Sequence, residues 1–196
     1  MMGKRLISQR RGKASTTFKA KLKGIKASYS SLDSEEKERM VLGEVTELIK
    51  ESGRNSVLAN VMLENGHNET VIAAEGLNVG QKIEQGQNAN VEIGNVLFLK
   101  SVPEGCPVFN IEKIPGDGGS IAKSTGTYGF IVTKDTKKAF VKLSSGKTIK
   151  LSLGVRATVG NAAGGGRKEK PFIKAGNRWH AFKARSRNTQ KSGELQ

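Results

Sequence analysis

From Met40 onward, apolar and polar residues alternate with a period of two, in short runs separated by turn residues. That spacing turns one side of each run toward a core and predicts strands. The first set is Met40–Lys50, Val57–Leu63 and residues 70–74, divided by the turn signals Gly53-Arg54-Asn55 and Asn65-Gly66. Residues 89–93 and 96–99 follow around Gly94-Asn95, after a longer connection punctuated by Gly76, Gly80 and Gly86. Five short strands so spaced predict a small closed or partly closed barrel.

A second set begins after Val102-Pro103-Glu104-Gly105. Residues 108–114, 127–133, 139–143, 148–153 and 155–159 read as strands, with hairpin-like links at 134–137 and 144–147. About 60 residues are marginal for independent folding, so this second barrel is expected to pack against the first. The pattern thins out on either side. Residues 1–26 alternate basic residues with Gly, Ser and Thr, and 33–38 form an acidic patch that predicts a turn of helix or a solvated loop. Residues 161–166, N-A-A-G-G-G, predict a flexible hinge or a backbone lying directly on a partner. The expected order is therefore an extended arm (1–32), two barrels (33–100 and 101–160) and a Gly-rich hinge with a C-terminal extension (161–196).

Charge sharpens this picture. The 196 residues carry a net charge of +15, with +9 in residues 1–26, −1 in 27–163 and +7 in 164–196. Two basic ends on a neutral middle point to a polyanionic partner, above all nucleic acid. The candidate phosphate contacts are Arg10, Arg11, Lys13 and Lys19 in the arm, and Arg167, Lys174, Arg178, Lys183 and Arg185 in the tail. Phe172, Trp179, His180 and Phe182 interleave with the tail charges, and flat side chains can stack on bases or pack on the second barrel. Of these, Trp179 and His180 join the candidate contacts.

Residues 114–128, I-P-G-D-G-G-S-I-A-K-S-T-G-T-Y, concentrate glycines around the single Lys123. Gly118 and Gly119 lack Cβ atoms, so the backbone can take positive φ and bring N–H groups to an anion, with Lys123 supplying charge. Ala122-Lys123-Ser124 resembles the end of a nucleotide-binding G-x-x-x-x-G-K-[ST] loop, but Asp117 and Ala122 stand where its glycines belong. A Gly-rich hairpin with no ligand is the plainer alternative.

Cys106 is the only cysteine, and His67 and His180 lie far apart, so no internal disulfide and no metal-ligand spacing is read. There is no apolar run near 18 residues and no signal-peptide pattern. A soluble cytoplasmic protein is expected, with no membrane, cofactor or small-molecule substrate, and no nucleophile–base pair or carboxylate dyad that would mark an enzyme.

Several strings carry a family likeness. They are I-A-A-E-G-L (72–77), I-G-N-V-L (93–97), V-P-E-G-C-P-V-F-N-I-E-K-I-P-G-D-G-G (102–119), A-K-S-T-G-T-Y (122–128) and V-G-N-A-A-G-G-G-R-K-E-K-P-F-I-K-A-G (159–176). In one order, and from the Gln9-Arg10-Arg11-Gly12 arm to about Arg187, the chain resembles the second large-subunit ribosomal protein family, L-two, most of all its archaeal and eukaryotic branch. The resemblance implies an OB-fold barrel followed by an SH3-like barrel. It also implies extensions entering large-subunit rRNA near the peptidyl-transferase region, and neighbouring ribosomal proteins as partners. Lys123 falls where the family carries a basic rRNA-contacting residue, and Arg156 follows the family's pattern on a strand. Two departures stand out. Asn68 and Glu69 occupy positions that are basic in bacterial relatives. Beyond Trp179 the family continues with a Gly-, Pro- and His-rich extension, whereas this sequence runs to T-Q-K-S-G-E-L-Q. A fragment, a shortened form or one piece of a split protein would each give that ending, and no residue here corresponds to the extension's histidine.

The expected function is a structural, rRNA-binding constituent of the large ribosomal subunit that supports assembly and translation. A stand-alone translation or transcription accessory factor built of paired small barrels is the alternative, because fold alone does not settle function.

Overall fold

Strands form where alternation is strongest. The computed structural model describes residues 6–12, 24–32, 34–51, 54–166, 169 and 171–180. Strand β1 (Met40–Lys50) turns Val41, Gly43 and Val45 inward and pairs antiparallel with β2 (Val57–Leu63). The ladder skips Thr46, so that Val45 faces Val61 while Glu47 faces Asn60. A bulge of this kind bends the strand and increases its twist, which a small barrel requires. Strand β3 (Asn68–Ile72) pairs with β2, and β4 (Lys82–Gly86) with β1.

β5 (Val96–Phe98), β6 (Pro107–Phe109), β7 (Gly129–Lys134), β8 (Lys138–Leu143), β9 (Thr148–Ser152) and β10 (Arg156–Val159) complete a ten-stranded sheet in the order β3-β2-β1-β4-β5-β10-β6-β7-β8-β9. The sheet encloses two cores. One gathers Val41, Val45, Leu58, Val61 and Ile72 with Tyr29 and Phe109, and the other gathers Leu97, Leu99, Ile131, Val141 and Ala157. Burying each such Leu, Val or Ile side chain contributes about 1.5–3 kcal/mol. The last strand, β10, lies between β5 and β6 and is buried along its whole length. Among the described residues, two short helices precede the sheet, α1 (Ile7–Gly12) and α2 (Ser34–Glu38).

The sequence misplaces some segments, for physical reasons. β4 has one buried apolar side chain, Ile83, beside the buried amide of Gln85, so no hydrophobic run announces it. Residues 89–93 are an irregular loop instead of a strand. Side-chain oxygens there capture backbone N–H groups, with Asn90 donating to Glu84 at 2.6 Å, and the Asn95 amide bonds back to the Asn90 carbonyl at 3.0 Å. β6 stops after Phe109 because Asn110 takes a φ of +49°. Residues 161–163, expected to open a hinge, are tied down: Glu75 N–H donates to Asn161, Ala163 N–H to Ala73, and Ala162 is buried. The chain divides only after Gly164, and in the second unit, 165–196, residues 175–180 are helical. Among the described residues no helix is long and apolar enough to cross a membrane, and no cluster of three His, Cys, Asp or Glu could hold a metal.

Candidate nucleic-acid interface

The segment before α2 is a strap over the seam between the two cores. Ser28 N–H donates to Thr70, Tyr29 N–H to Gly118, and Ser30 N–H to the Glu69 carboxylate at 2.9 Å. The Tyr29 hydroxyl donates to the Asn110 carbonyl at 2.9 Å and lies 2.6 Å from Thr158 Oγ1. Burial raises the Tyr29 hydroxyl above its ordinary pKa, so it stays a neutral donor. The basic arm is thus anchored at its inner end.

The Gly-rich loop directs its N–H groups inward. Gly116 and Gly118 N–H donate to the two oxygens of buried Glu112, each at 3.2 Å, and Gly119 N–H donates to Asp117 Oδ1 at 2.9 Å. Asp117 also accepts from Lys113 N–H at 2.9 Å and the Ser120 hydroxyl at 3.2 Å. The glycines are required for close approach and for positive φ. At Gly118 (φ +78°) a Cβ would lie 2.9 Å from Ser28 Cβ, and at Gly119 (φ +89°) 2.4 Å from Asn110 Oδ1. The expectation of a cradle open to an outside anion is therefore corrected. Gly118 and Gly119 are buried, and the anions their N–H groups hold are the protein's own carboxylates.

Arg156 receives the same correction. Its guanidinium is buried, with Nη1 2.7 Å from Glu36 Oε2, Nη2 2.8 Å from Glu112 Oε1 and 2.8 Å from the Ser30 carbonyl. Tyr29 packs its ring against it, 5.1 Å from centroid to guanidinium carbon. Burial works against the charge, but the hydrogen bonds and attraction of Glu112, then of Glu36, outweigh it and hold the group above its ordinary pKa. Arg156 has no surface to offer an RNA; it joins the strap, α2, the Gly-rich loop and β10.

Lys123 is half-buried at the edge of this cluster. Its Nζ donates to the carbonyls of Gly119 at 2.7 Å and Ala27 at 2.8 Å, linking loop to strap. Burial, with the nearby charges of Arg54 and Lys26, lowers its pKa, and Asp117 partly opposes that. An ammonium has three protons, so one donor of Lys123 is left beyond these two carbonyls.

Comparison with known proteins decides the family. Residues 2–85 match the family described as Ribosomal Proteins L2, RNA binding N-terminal domain, and residues 92–192 match Ribosomal Proteins L2, C-terminal domain. The chain is 46% identical over 189 residues to the large ribosomal subunit protein uL2 of Methanosphaera stadtmanae, covering 95% of this chain and 78% of that one. It is 44% identical over 191 residues to uL2 of Methanothermobacter thermautotrophicus (96% and 79%), and 46% over 188 to that of Methanocaldococcus jannaschii (94% and 77%). The chain belongs to the ribosomal protein L2 family. Its all-β fold is the family's OB-fold barrel followed by an SH3-like barrel.

Within this L2 chain the other candidate contacts belong to other segments. Arg10 and Arg11 lie on α1, and Lys174, Arg178, Trp179 and His180 are exposed in the second unit, the last three on helical residues. Lys13, Lys19, Arg167, Lys183 and Arg185 fall outside the described residues. Among the described candidates of the first unit, Gly118, Gly119, Lys123 and Arg156 are brought together at the seam. Sequence reasoning missed Tyr29, Glu36 and Glu112, which complete it. It also missed that residues 128–152 carry six lysines against Asp135 alone, a local excess hidden in a middle whose total is neutral.

Proposed function

We propose that this protein is a structural constituent of the large ribosomal subunit that binds its rRNA by charge and shape and catalyses no reaction itself. The observation that carries this reading is the match of two L2 domains in order across residues 2–192, the first described as RNA-binding. The charge layout supports it, since +9 and +7 ends flank a near-neutral folded middle. In this reading residues 33–100 and 101–160 are the two barrels, and the basic ends run along rRNA phosphates from an anchored strap. Arg10, Arg11, Lys13, Lys19, Arg167, Lys174, Arg178, Lys183 and Arg185 neutralise phosphate, Trp179 and His180 stack, and Lys123 adds a contact beside the seam. The resemblance of the 102–176 strings supports a place near the peptidyl-transferase region, beside other ribosomal proteins in cytoplasmic ribosomes.

Sedimentation tests this directly. The tagged protein should co-sediment with large subunits at one copy per particle, resist a high-salt wash, and be released by RNase. A free pool indifferent to RNase, or a bound fraction removed by the wash, would favour an accessory factor that visits RNA transiently.

A further inference from the structure

On the outer side of β7, β8 and β9, aromatic rings and lysines share one face. Ile131, Ala139, Val141 and Leu151 are buried, so by alternation Phe130, Lys138, Phe140, Lys142 and Lys150 stand on the opposite side. Pairing sets them in rows. Phe130 faces Lys142 between β7 and β8, and Phe140 faces Lys150 between β8 and β9. Phe130 is 41% exposed and Val132, at the bulge of β7, 48%. Tyr128 and Phe130 form a T-shaped pair, with centroids 5.0 Å apart and planes at 73°. Lys150 Nζ lies 5.3 Å from the Phe140 centroid.

The charge of the segment that carries this face is unbalanced. Lys134, Lys137, Lys138, Lys142, Lys147 and Lys150 stand against Asp135 alone in residues 128–152. The ion pairs of Arg54 and Arg156 lie elsewhere. Lys134, in register with inward Ala139, gives its Nζ to the Lys100 carbonyl at 2.9 Å and its N–H to the Glu104 carboxylate at 2.7 Å, so Lys138, Lys142 and Lys150 are the lysines of this face. Like charges crowded on neighbouring strands repel, and an open aromatic ring among them gains nothing from water. An anion carrying flat apolar faces relieves both.

We propose that this face binds an unpaired stretch of RNA, with a base stacked on Phe130 and the flanking phosphates on Lys142 and Lys150. The proposal rests on the reading of the chain as an rRNA-binding protein. It selects unpaired RNA because a duplex keeps its base faces stacked inside, whereas a splayed base offers one to an aromatic ring. Stacking of a single base on a protein ring corresponds to roughly 5- to 150-fold in affinity.

The test uses the full chain with oligouridine, an RNA duplex of equal length and large-subunit rRNA. Phe130→Ala should weaken oligouridine binding by at least about 5-fold and leave duplex binding unchanged, while Phe130→Tyr retains both. A Phe130→Trp reporter in a Trp179→Phe background, where it is the sole tryptophan, should be quenched by oligouridine, and this reads the site even if Phe130→Ala misfolds. Parent-like oligouridine binding by Phe130→Ala, equal losses for oligouridine and duplex, or an unquenched Trp would overturn the proposal. Quenching by oligoglutamate as strong as by oligouridine would do the same, and would assign the face to an acidic protein partner. If the parent binds neither RNA nor rRNA fragments, the rRNA-binding reading itself falls; if it binds rRNA and the Phe130 variants are silent, only this face is wrong.

Discussion

Arg156 and Glu112, 44 positions apart, meet through three hydrogen bonds: backbone N–H to Oε2 at 3.0 Å, and Nε and Nη2 to Oε1 at 3.1 and 2.8 Å. Glu36 takes the remaining arm of the guanidinium and accepts from Gln85 Nε2 at 3.0 Å. One cation thus satisfies carboxylates from α2 and from the stretch after β6, on the strand that borders both cores. Ion pairs this deep cost much desolvation, and their removal one partner at a time costs more.

Replacing Arg156 with Met should therefore leave two buried carboxylates facing each other and lower stability by about 3–5 kcal/mol in urea unfolding. Arg156→Lys should recover only part of it, because an ammonium cannot supply the planar fork that meets Glu36 and Glu112 at once. A Met variant within about 1 kcal/mol of the parent would show that the cluster does not hold the seam.

The glycines give a paired prediction. Gly146 has a φ of +85° and open space where a Cβ would stand, whereas at Gly119, with a φ of +89°, a Cβ would meet Asn110 Oδ1 at 2.4 Å. Both Ala substitutions carry the left-handed backbone cost, about 1–2 kcal/mol. Only Gly119→Ala adds a clash, and its total should reach about 3 kcal/mol or more. Equal midpoint shifts in thermal or urea unfolding would mean that the loop yields to the new methyl.

Glu36 supplies a pH signature. Burial raises its pKa above the ordinary 4.5, Arg156 and Gln85 oppose this, and the charge of Glu69 adds to it. The folded chain holds this proton more tightly than the unfolded one, so the group's stabilising contribution is complete below 4.5 and is lost as pH rises through the folded value. Asp117 acts in the opposite sense. Slight burial disfavours its charge, but donors from Lys113, Gly119, Ile114 and Ser120 hold it below 3.8, so its contribution is lost as pH falls. In a pH series of urea unfolding, Glu36→Gln should lack the decline that the parent shows as pH rises from 4.5. Parallel curves for the two proteins would refute the assignment.

How much of this is legible in the sequence depends on what each residue touches. Val41, Val45, Leu58 and Val61 announce their strands because local alternation alone determines their burial. The ends of the chain announce a polyanion through charge alone. Arg156 reads as an RNA contact through the family resemblance, and nothing in the sequence signals the carboxylates 44 and 120 positions away that hold it. Glu36 reads as solvated for the same reason, inside an acidic patch whose other members give no hint of a buried one. The glycine loop does bind an anion through its N–H groups, as its composition suggests, but the anion is Glu112 and Asp117.

Lys123 stands at the boundary between fold and function. Its bonds to Ala27 and Gly119 close the strap over the loop, and hydrogen bonds from a charged donor contribute about 1.5–3 kcal/mol each. Lys123→Met should let the strap open more often, so that the Ser28 and Tyr29 amides, bonded to Thr70 and Gly118, exchange on the order of 10-fold faster or more. The third proton of the ammonium predicts a separate effect on RNA. The slope of log affinity against log salt should shrink by about 0.7–0.9, the share of one phosphate contact. Faster exchange with an unchanged slope would assign Lys123 to the fold alone. A changed slope with unchanged exchange would mean that the strap is held by Tyr29 and Arg156 without it.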